Sequence, residues 1–422
     1  MGKLLRSNGW SLLAMMVVTG GASCTADIAP SSNEKEVAGQ HVRWSVRLPG
    51  NAGIYNEGLI GLPVVNDRVL FHSTMFTNET HEDNRIHALD ISTGKLEWTF
   101  PTEFNPDEPY YFEGRPYVNE DILVTKMSAF EPYSYHDRIL LMNVNSGLKQ
   151  KIIHMPRSVS RFSCRDVVGL GTNAWFFQED DHSSHLYKIT LPSGDTARIV
   201  SLQSASEDGR LEVTNRELQV EYYEGQRVLS VGVLDNQVEH AELQLLVINA
   251  DTGEIIFRRV VNRDQNFIIN AVVMRGKQLL YTCGRFAGCV TIPGNQELWQ
   301  YDAGGSVDRI IPGLFVHDSI VLVWGHSGYS ALDLISGNRL YENELACVSV
   351  SGSTHGFIVL RSDGKVSVIN QNTGTEITRL SVTSKADRHG FSYSCKPGVS
   401  NDNLFLFGEY NAYCFDLKNI LP

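Results

Sequence analysis

The chain has 422 residues, of which 42% are hydrophobic and 20% charged, the balance of a globular protein with ample length for a large core. Its net charge of −12 at pH 7 excludes a nucleic-acid-binding class, which needs clustered Lys and Arg against phosphate. The 36 glycines suit a chain with many tight turns.

Residues 1–24 read as an export signal. Lys3 and Arg6 form a positive start, and Trp10–Val18 is an apolar core too short to span a bilayer. The segment ends in Gly21-Ala22-Ser23-Cys24. Ala and Ser before Cys resemble the lipobox of bacterial lipoproteins, in which the cysteine becomes the lipidated N-terminus; Gly21 departs from the Leu usual there. Lipidation at Cys24 is the expectation, and cleavage after Ala22 to a soluble exported protein is the alternative. Within that resemblance Thr25, standing where Asp would retain the protein elsewhere, implies sorting to the outer membrane. Residues 25–40 are polar and poor in large apolar groups, as a flexible tether would be. Residues 41–422 then read as one domain.

The stretch Arg85–Phe100 sets the pattern for that domain. Its alternation on either side of Asp90-Ile91-Ser92-Thr93-Gly94 is a hairpin signal: the Asp carboxylate accepts N–H groups inside the turn, and Gly94 takes the left-handed position. The same apolar–Asp/Asn–Gly pattern recurs at Asn143/Gly147, Asn249/Gly253, Asp333/Gly337 and Asn370/Gly374. Two units are imperfect, Thr190/Gly194 and Asp302/Gly304, and Asp416 is an eighth anchor without the glycine. The anchors from 90 to 416 are spaced by about 47 residues, the period of propeller blades when the signals are strand-only.

Two further strands precede each anchor, so each unit reads as a four-stranded meander A-B-C-D with the signature on the C–D turn. The last unit supplies only Tyr393–Lys396, Leu404–Gly408 and Asn411–Leu417. Val42–Val46 matches the pattern of Leu96–Phe100 and is expected to complete it, closing the ring. The prediction is an all-β, eight-bladed β-propeller of four-stranded antiparallel blades, with seven blades as the alternative.

The segment ALDISTGKLEW, Ala88–Trp98, resembles the pyrroloquinoline-quinone (PQQ)-type propeller repeat, found both in quinoprotein dehydrogenases and in non-enzymatic propellers. Together with the lipoprotein-like signal, the chain over residues 41–418 is similar to the BamB family, the propeller lipoproteins of the bacterial outer-membrane β-barrel assembly machinery. That resemblance implies a non-catalytic scaffold, monomeric, facing the periplasm from a lipid anchor and binding outer-membrane assembly components. A propeller binding a small molecule or carbohydrate is the alternative, and a PQQ-dependent dehydrogenase the third reading. Against the third, the chain lacks the adjacent cysteine pair of many such enzymes, and only Trp44 and Trp98 stand in the repeat's D-strand Trp position, with Phe257 and Tyr341 elsewhere. There is no G-x-S-x-G, P-loop or H-E-x-x-H motif. No cofactor, metal or catalytic residue is expected.

Of the seven cysteines, Cys283 and Cys289 flank the short loop of CGRFAGC and are the expected disulfide. Loop length points to a binding surface. The B–C connections Ser73–Asn84, Ser128–Asp137, Gln178–Ser184, Leu234–Glu242 and Gly284–Gln296 read as elaborated loops, whereas Gly325–Gly328 and Ser362–Gly364 are short. The D–A connections Pro101–Pro116 and Gln203–Glu217 are long as well. Loops on a rigid scaffold are where partners bind. The candidate contact residues are His81, Glu82 and Asp83; Tyr110, Tyr111 and Phe112; Tyr133, Tyr135 and His136; Asp181 and His182; and His240. Aromatic groups beside polar ones suit protein recognition.

Overall fold

The computed structural model describes residues 42–48, 64–78, 81–101, 111–131, 134–156, 166–180, 182–206, 209–215, 217–237, 241–262, 268–304, 310–325, 327–354, 356–382, 387, 390–391, 396–408 and 410–420. The signal and tether segments, with Cys24, lie outside these, as do Tyr110, Tyr133, Asp181 and His240.

Within them the chain is an eight-bladed β-propeller. Blades 1 to 7 occupy residues 64–100, 111–154, 168–203, 210–262, 269–302, 313–343 and 347–380 in succession. Blade 8 takes Gly398–Ser400, Asn403–Phe407 and Asn411–Asp416 from the end of the chain and Val42–Arg47 from its beginning. The closing strand runs antiparallel, with Trp44 opposite Cys414 and Val46 opposite Ala412, and Arg43 pairs with Asp416 at 2.6 Å. The expected closure is therefore present, and both imperfect repeats are complete blades, which removes the seven-bladed alternative. The innermost strand of blade 8 is Gly398–Ser400, a few residues beyond the expected Tyr393–Lys396.

The signature turns are built as their side chains require. Asp90 Oδ1 accepts N–H from Ser92 at 3.1 Å and Thr93 at 2.8 Å, together with both hydroxyls. Those hydrogen bonds hold its carboxyl down to about 2. Asn143, Asn249, Asp333 and Asn370 accept the same pair of N–H groups in their turns. The glycine four places on donates its N–H back to the anchor carbonyl, as from Gly94 to Asp90 at 2.8 Å.

Several of the turns are also sockets for a neighbouring blade. Indole N–H groups of Trp44, Trp98 and Trp299 donate at 2.9 Å to the carbonyls of Ile91, Val144 and Leu334, in each case one residue past the next blade's anchor. The Tyr341 hydroxyl does the same to Gln371 at 2.8 Å. The rings lie so close that a Cβ on Gly147 would fall 2.7 Å from Trp98. Gly147 is thus fixed twice, by its φ of 68° and by the indole above it. Between blades 3 and 4 the hook comes from elsewhere: Trp175, on the second strand of blade 3, reaches Ala250 at 2.7 Å.

Blade 5 corrects the sequence reading. Its C–D turn is Thr291–Gln296, not the expected Asp302/Gly304, and Asp302 ends its last strand. The Thr291 hydroxyl replaces the carboxylate by accepting the Gln296 N–H at 3.1 Å, and Asn295 replaces glycine at φ 53°. Asp302 mimics the signature because its carboxylate caps Gly304 at 2.8 Å. With the register restored, Trp299 joins Trp44 and Trp98 as a D-strand tryptophan, and the middle of Gly284–Gln296 is a strand, Phe286–Thr291, rather than loop.

The core is divided into eight hydrophobic clusters, each filling one junction between consecutive blades. This division overturns the expected disulfide. Cys289 lies opposite Leu280 while Cys283 lies opposite Phe286, so the two cysteines sit three residue pairs apart along the hairpin and face opposite sides of the blade. Cys283 packs toward blade 4 and Cys289 toward blade 6. Cys289, Cys347 and Cys414 are free buried thiols, and burial pushes Cys289 up to about 12.

Candidate functional site

Because every blade runs A-B-C-D, the B–C hairpins and the D–A connections share one face of the ring, and the signature turns occupy the other. The hairpin face is uneven. In blade 1 the paired strands Arg68–Asn78 and His81–Asp90 have 11 and 10 residues, and in blade 2 Ile122–Glu131 and Ser134–Asn143 have 10 each. The middle strands of blades 5 to 8 have four to six. At about 3.3 Å per residue, the first two blades stand roughly 15 Å taller.

The expected loops Ser73–Asn84 and Ser128–Asp137 are therefore continuations of the strands. Thr74 pairs with Asn84 and Phe76 with Glu82 in blade 1, while Ala129 pairs with His136 and Phe130 with Tyr135 in blade 2. The outer strand of blade 1 reaches only Ile86, so His81–Arg85 stand beyond it. His81, Glu82 and Asp83 thus lie on one raised hairpin, and Tyr135 and His136 on the next. Tyr111 begins the innermost strand of blade 2. Phe112 is not a surface residue: it is 4% exposed and packs edge-on against Phe100 in the junction between blades 1 and 2. Its apolar neighbours in the sequence did not distinguish an exposed cluster from a core position.

Blades 3 and 4 carry a braced part of the same rim. Asp180 accepts the N–H groups of His182 and Ser183 at 3.0 and 2.8 Å, leaving His182 exposed at the tip. Its second oxygen meets His185 Nε2 at 2.7 Å, and His185 Nδ1 meets the Ser201 hydroxyl at 2.9 Å. Although partial burial acts the other way, the hydrogen bonds from His185, His182 and Ser183 hold the Asp180 carboxyl below its ordinary value. The buried Glu179 carboxylate accepts the Val213 N–H at 3.1 Å, tying blade 3 to blade 4.

On this face the structure also brings together four charged side chains that the sequence reading did not single out. The innermost strands contact one another around the ring, so they line its axis. In blade 4 that position is filled by two short strands, Arg210–Val213 and Val220–Tyr223, both paired with Gln226–Asn236. The segment between them turns inward and carries Glu217. Its carboxylate meets Arg115 of blade 2 at 2.5 Å and Lys396, at the entry to blade 8, at 3.1 Å. Blades 4 and 8 are opposite in an eight-membered ring, so this bridge crosses the axis. Burial would raise the Glu217 carboxyl, but Lys396 and Arg115 hold it down to about 2.

Asp166, fully buried, fixes the arrangement from below. It accepts the backbone N–H of Arg115 at 2.8 Å and of Leu218 at 3.2 Å. Burial pushes its carboxyl up to about 6, against the opposing charge of Arg115. Further bonds stitch the collar: Asn215 to the Glu217 carbonyl at 2.7 Å, Thr214 to the Ile269 carbonyl at 2.9 Å, and Ser351 to the Pro397 carbonyl at 2.7 Å. The one sequence signal was the length of the connection ending at Glu217.

No family model matches the chain, and no curated protein matches it. Among solved structures, BamB from Moraxella catarrhalis is similar over 89% of this chain and 99% of its own, with a TM-score of 0.60 and 10% identity. A europium-containing methanol dehydrogenase is similar over 89% and 93%, with a TM-score of 0.59 and 10% identity. Sqt1 from Chaetomium thermophilum, bound to the N-terminus of the ribosomal protein L10, is similar over 87% and 100%, with a TM-score of 0.55 and 12% identity. The likeness is one of fold. It spans a quinoprotein enzyme and a protein-binding propeller alike, so the chemistry has to be argued from the residues of this chain.

Proposed function

We propose that the protein is a non-catalytic scaffold that docks a protein partner against the tall hairpins of blades 1 and 2 and the braced rim of blades 3 and 4. The observation that carries this reading is the difference in height: four to five extra residue pairs per hairpin on one sector of a ring whose other face is levelled by tight turns. A raised, strand-built wall offers backbone edges as well as side chains, and an extended partner segment can add to such an edge. The fold shared with BamB and with Sqt1 supports the reading.

In the finer version of the proposal the partner belongs to the outer-membrane β-barrel assembly machinery, and a lipid on Cys24 holds the ring at the periplasmic side of that membrane. A pull-down from detergent-solubilised membranes tests it directly. Assembly components should co-purify with the wild-type chain and be lost when the blade 1 hairpin is shortened between Thr74 and Asn84 with the fold intact; equal recovery from both would overturn the docking site. Cys24→Ser should move the protein from the membrane to the soluble fraction. Dye-linked alcohol oxidation on addition of PQQ and calcium would overturn the non-catalytic reading.

A further inference from the structure

We infer that the axis of the ring holds a carboxylate-binding site, formed by Arg115 and Lys396 and occupied within the chain by Glu217. The inference stands apart from the docking proposal, since it concerns the lumen and not the hairpins. Two cations from blades 2 and 8 converge on one carboxylate, at 2.5 and 3.1 Å. Neither cation comes from a strand adjacent to Glu217. Glu217 is brought to them by an inward turn that splits the innermost position of blade 4 into two strands, whereas in the other seven blades a single strand fills it. A guanidinium and an ammonium group arranged around a carboxylate recognise any carboxylate, whichever chain carries it.

The surroundings favour exchange of that occupant. Glu217 keeps 34% of its side chain in contact with solvent, so the carboxylate and its cations are not sealed from water. The rest of the collar does not depend on the Glu217 carboxylate. Asp166 holds the backbone of Arg115 and Leu218 directly, and Asn215 holds the Glu217 carbonyl. Among the described residues the charges in contact at the site are Arg115 and Lys396 against Glu217 and Asp166. Removing Glu217 leaves an excess positive charge in a partly desolvated lumen, which attracts an external carboxylate strongly.

The test is chemical rescue in the full chain. Thermal unfolding of Glu217→Ala should be shifted upward by acetate in a saturable way, beyond the effect of equal sodium chloride, with affinity about ten-fold tighter than wild type shows. The response should disappear in the double variant Glu217→Ala/Lys396→Ala. Triglycine compared with triglycinamide tells whether a carboxylate at the end of a peptide serves as well as a free one; a response to either acetate or triglycine supports the site. Equal responses of Glu217→Ala and wild type to acetate and chloride, with near-ultraviolet circular dichroism showing the variant folded, would overturn it. If Glu217→Ala does not fold, Glu217→Ser is taken through the same series. If neither folds, refolding in acetate must recover more native protein than refolding in chloride, and equal recovery overturns the site.

Discussion

The two faces of this propeller are made from the same strands but obey different rules. On the signature face most blades repeat one local solution, an Asx turn, and the turns of blades 1, 2, 4, 6 and 7 also receive an aromatic hook from a neighbour. On the hairpin face the blades differ in height, and the fixed points are long-range: Asp166 to Leu218, and Glu217 to Lys396 across the axis. A fold that is secured at one end of its strands leaves the other end free to vary, and that is where binding residues accumulate.

The comparison can be broken most severely from the signature face. Trp98→Ala removes both the hook to Val144 and the packing over Gly147, and should destabilise the protein by about 3 kcal/mol or more in chemical denaturation. Gly147→Ala attacks the same joint from the other side, straining a φ of 68° under the indole, with an expected loss of about 2 kcal/mol.

The pH dependence singles out Asp166. The Asp90 carboxyl sits near 2, below its ordinary 3.8, so its contribution is complete above that ordinary value and is lost only in strong acid. Glu217, also near 2 against an ordinary 4.5, behaves likewise. Asp166 has the opposite sign. Raised to about 6 from 3.8, it binds more protons folded than unfolded in that interval, so stability should fall as pH rises from about 4 to 6. Equilibrium denaturation across that window checks the slope, and Asp166→Asn should flatten it. The smallest effect expected is none at all: with Cys289, Cys347 and Cys414 as free thiols, a reductant should leave the contribution of these positions to the melting temperature unchanged, and all three should react with a thiol reagent after denaturation.

These contrasts explain what could be read from residues in order. The signature turn is local, so its anchors, the blade count and the closing strand were legible in the sequence. Blade 5 was misplaced because Thr291 and Asn295 do the work of Asp and Gly without resembling them, and Asp302 resembles the signature without doing it. The disulfide failed for a related reason: spacing in the chain was short, but the parity of the strand decides which junction a side chain enters. The location of a special sector was legible from connection lengths, yet its form was not, since the mixed polar and apolar run Ser73–Asn78 continues a strand as readily as it decorates a loop. Glu217 was invisible because its partners lie about a hundred residues to one side and 179 to the other.

The strand Val42–Arg47 has a further consequence for the life of the molecule. It is the first part of the ring to be synthesised and its hydrogen-bonding partner, Asn411–Asp416, is the last. Seven blades each form from one consecutive segment, but the eighth needs strands from both ends of the ring, so the early strand has no partner until the last blade forms. A circular permutant that joins the two segments covalently and opens the chain between blades 4 and 5 would convert that last, most distant contact into a hairpin, and should therefore fold faster while reaching the same ring.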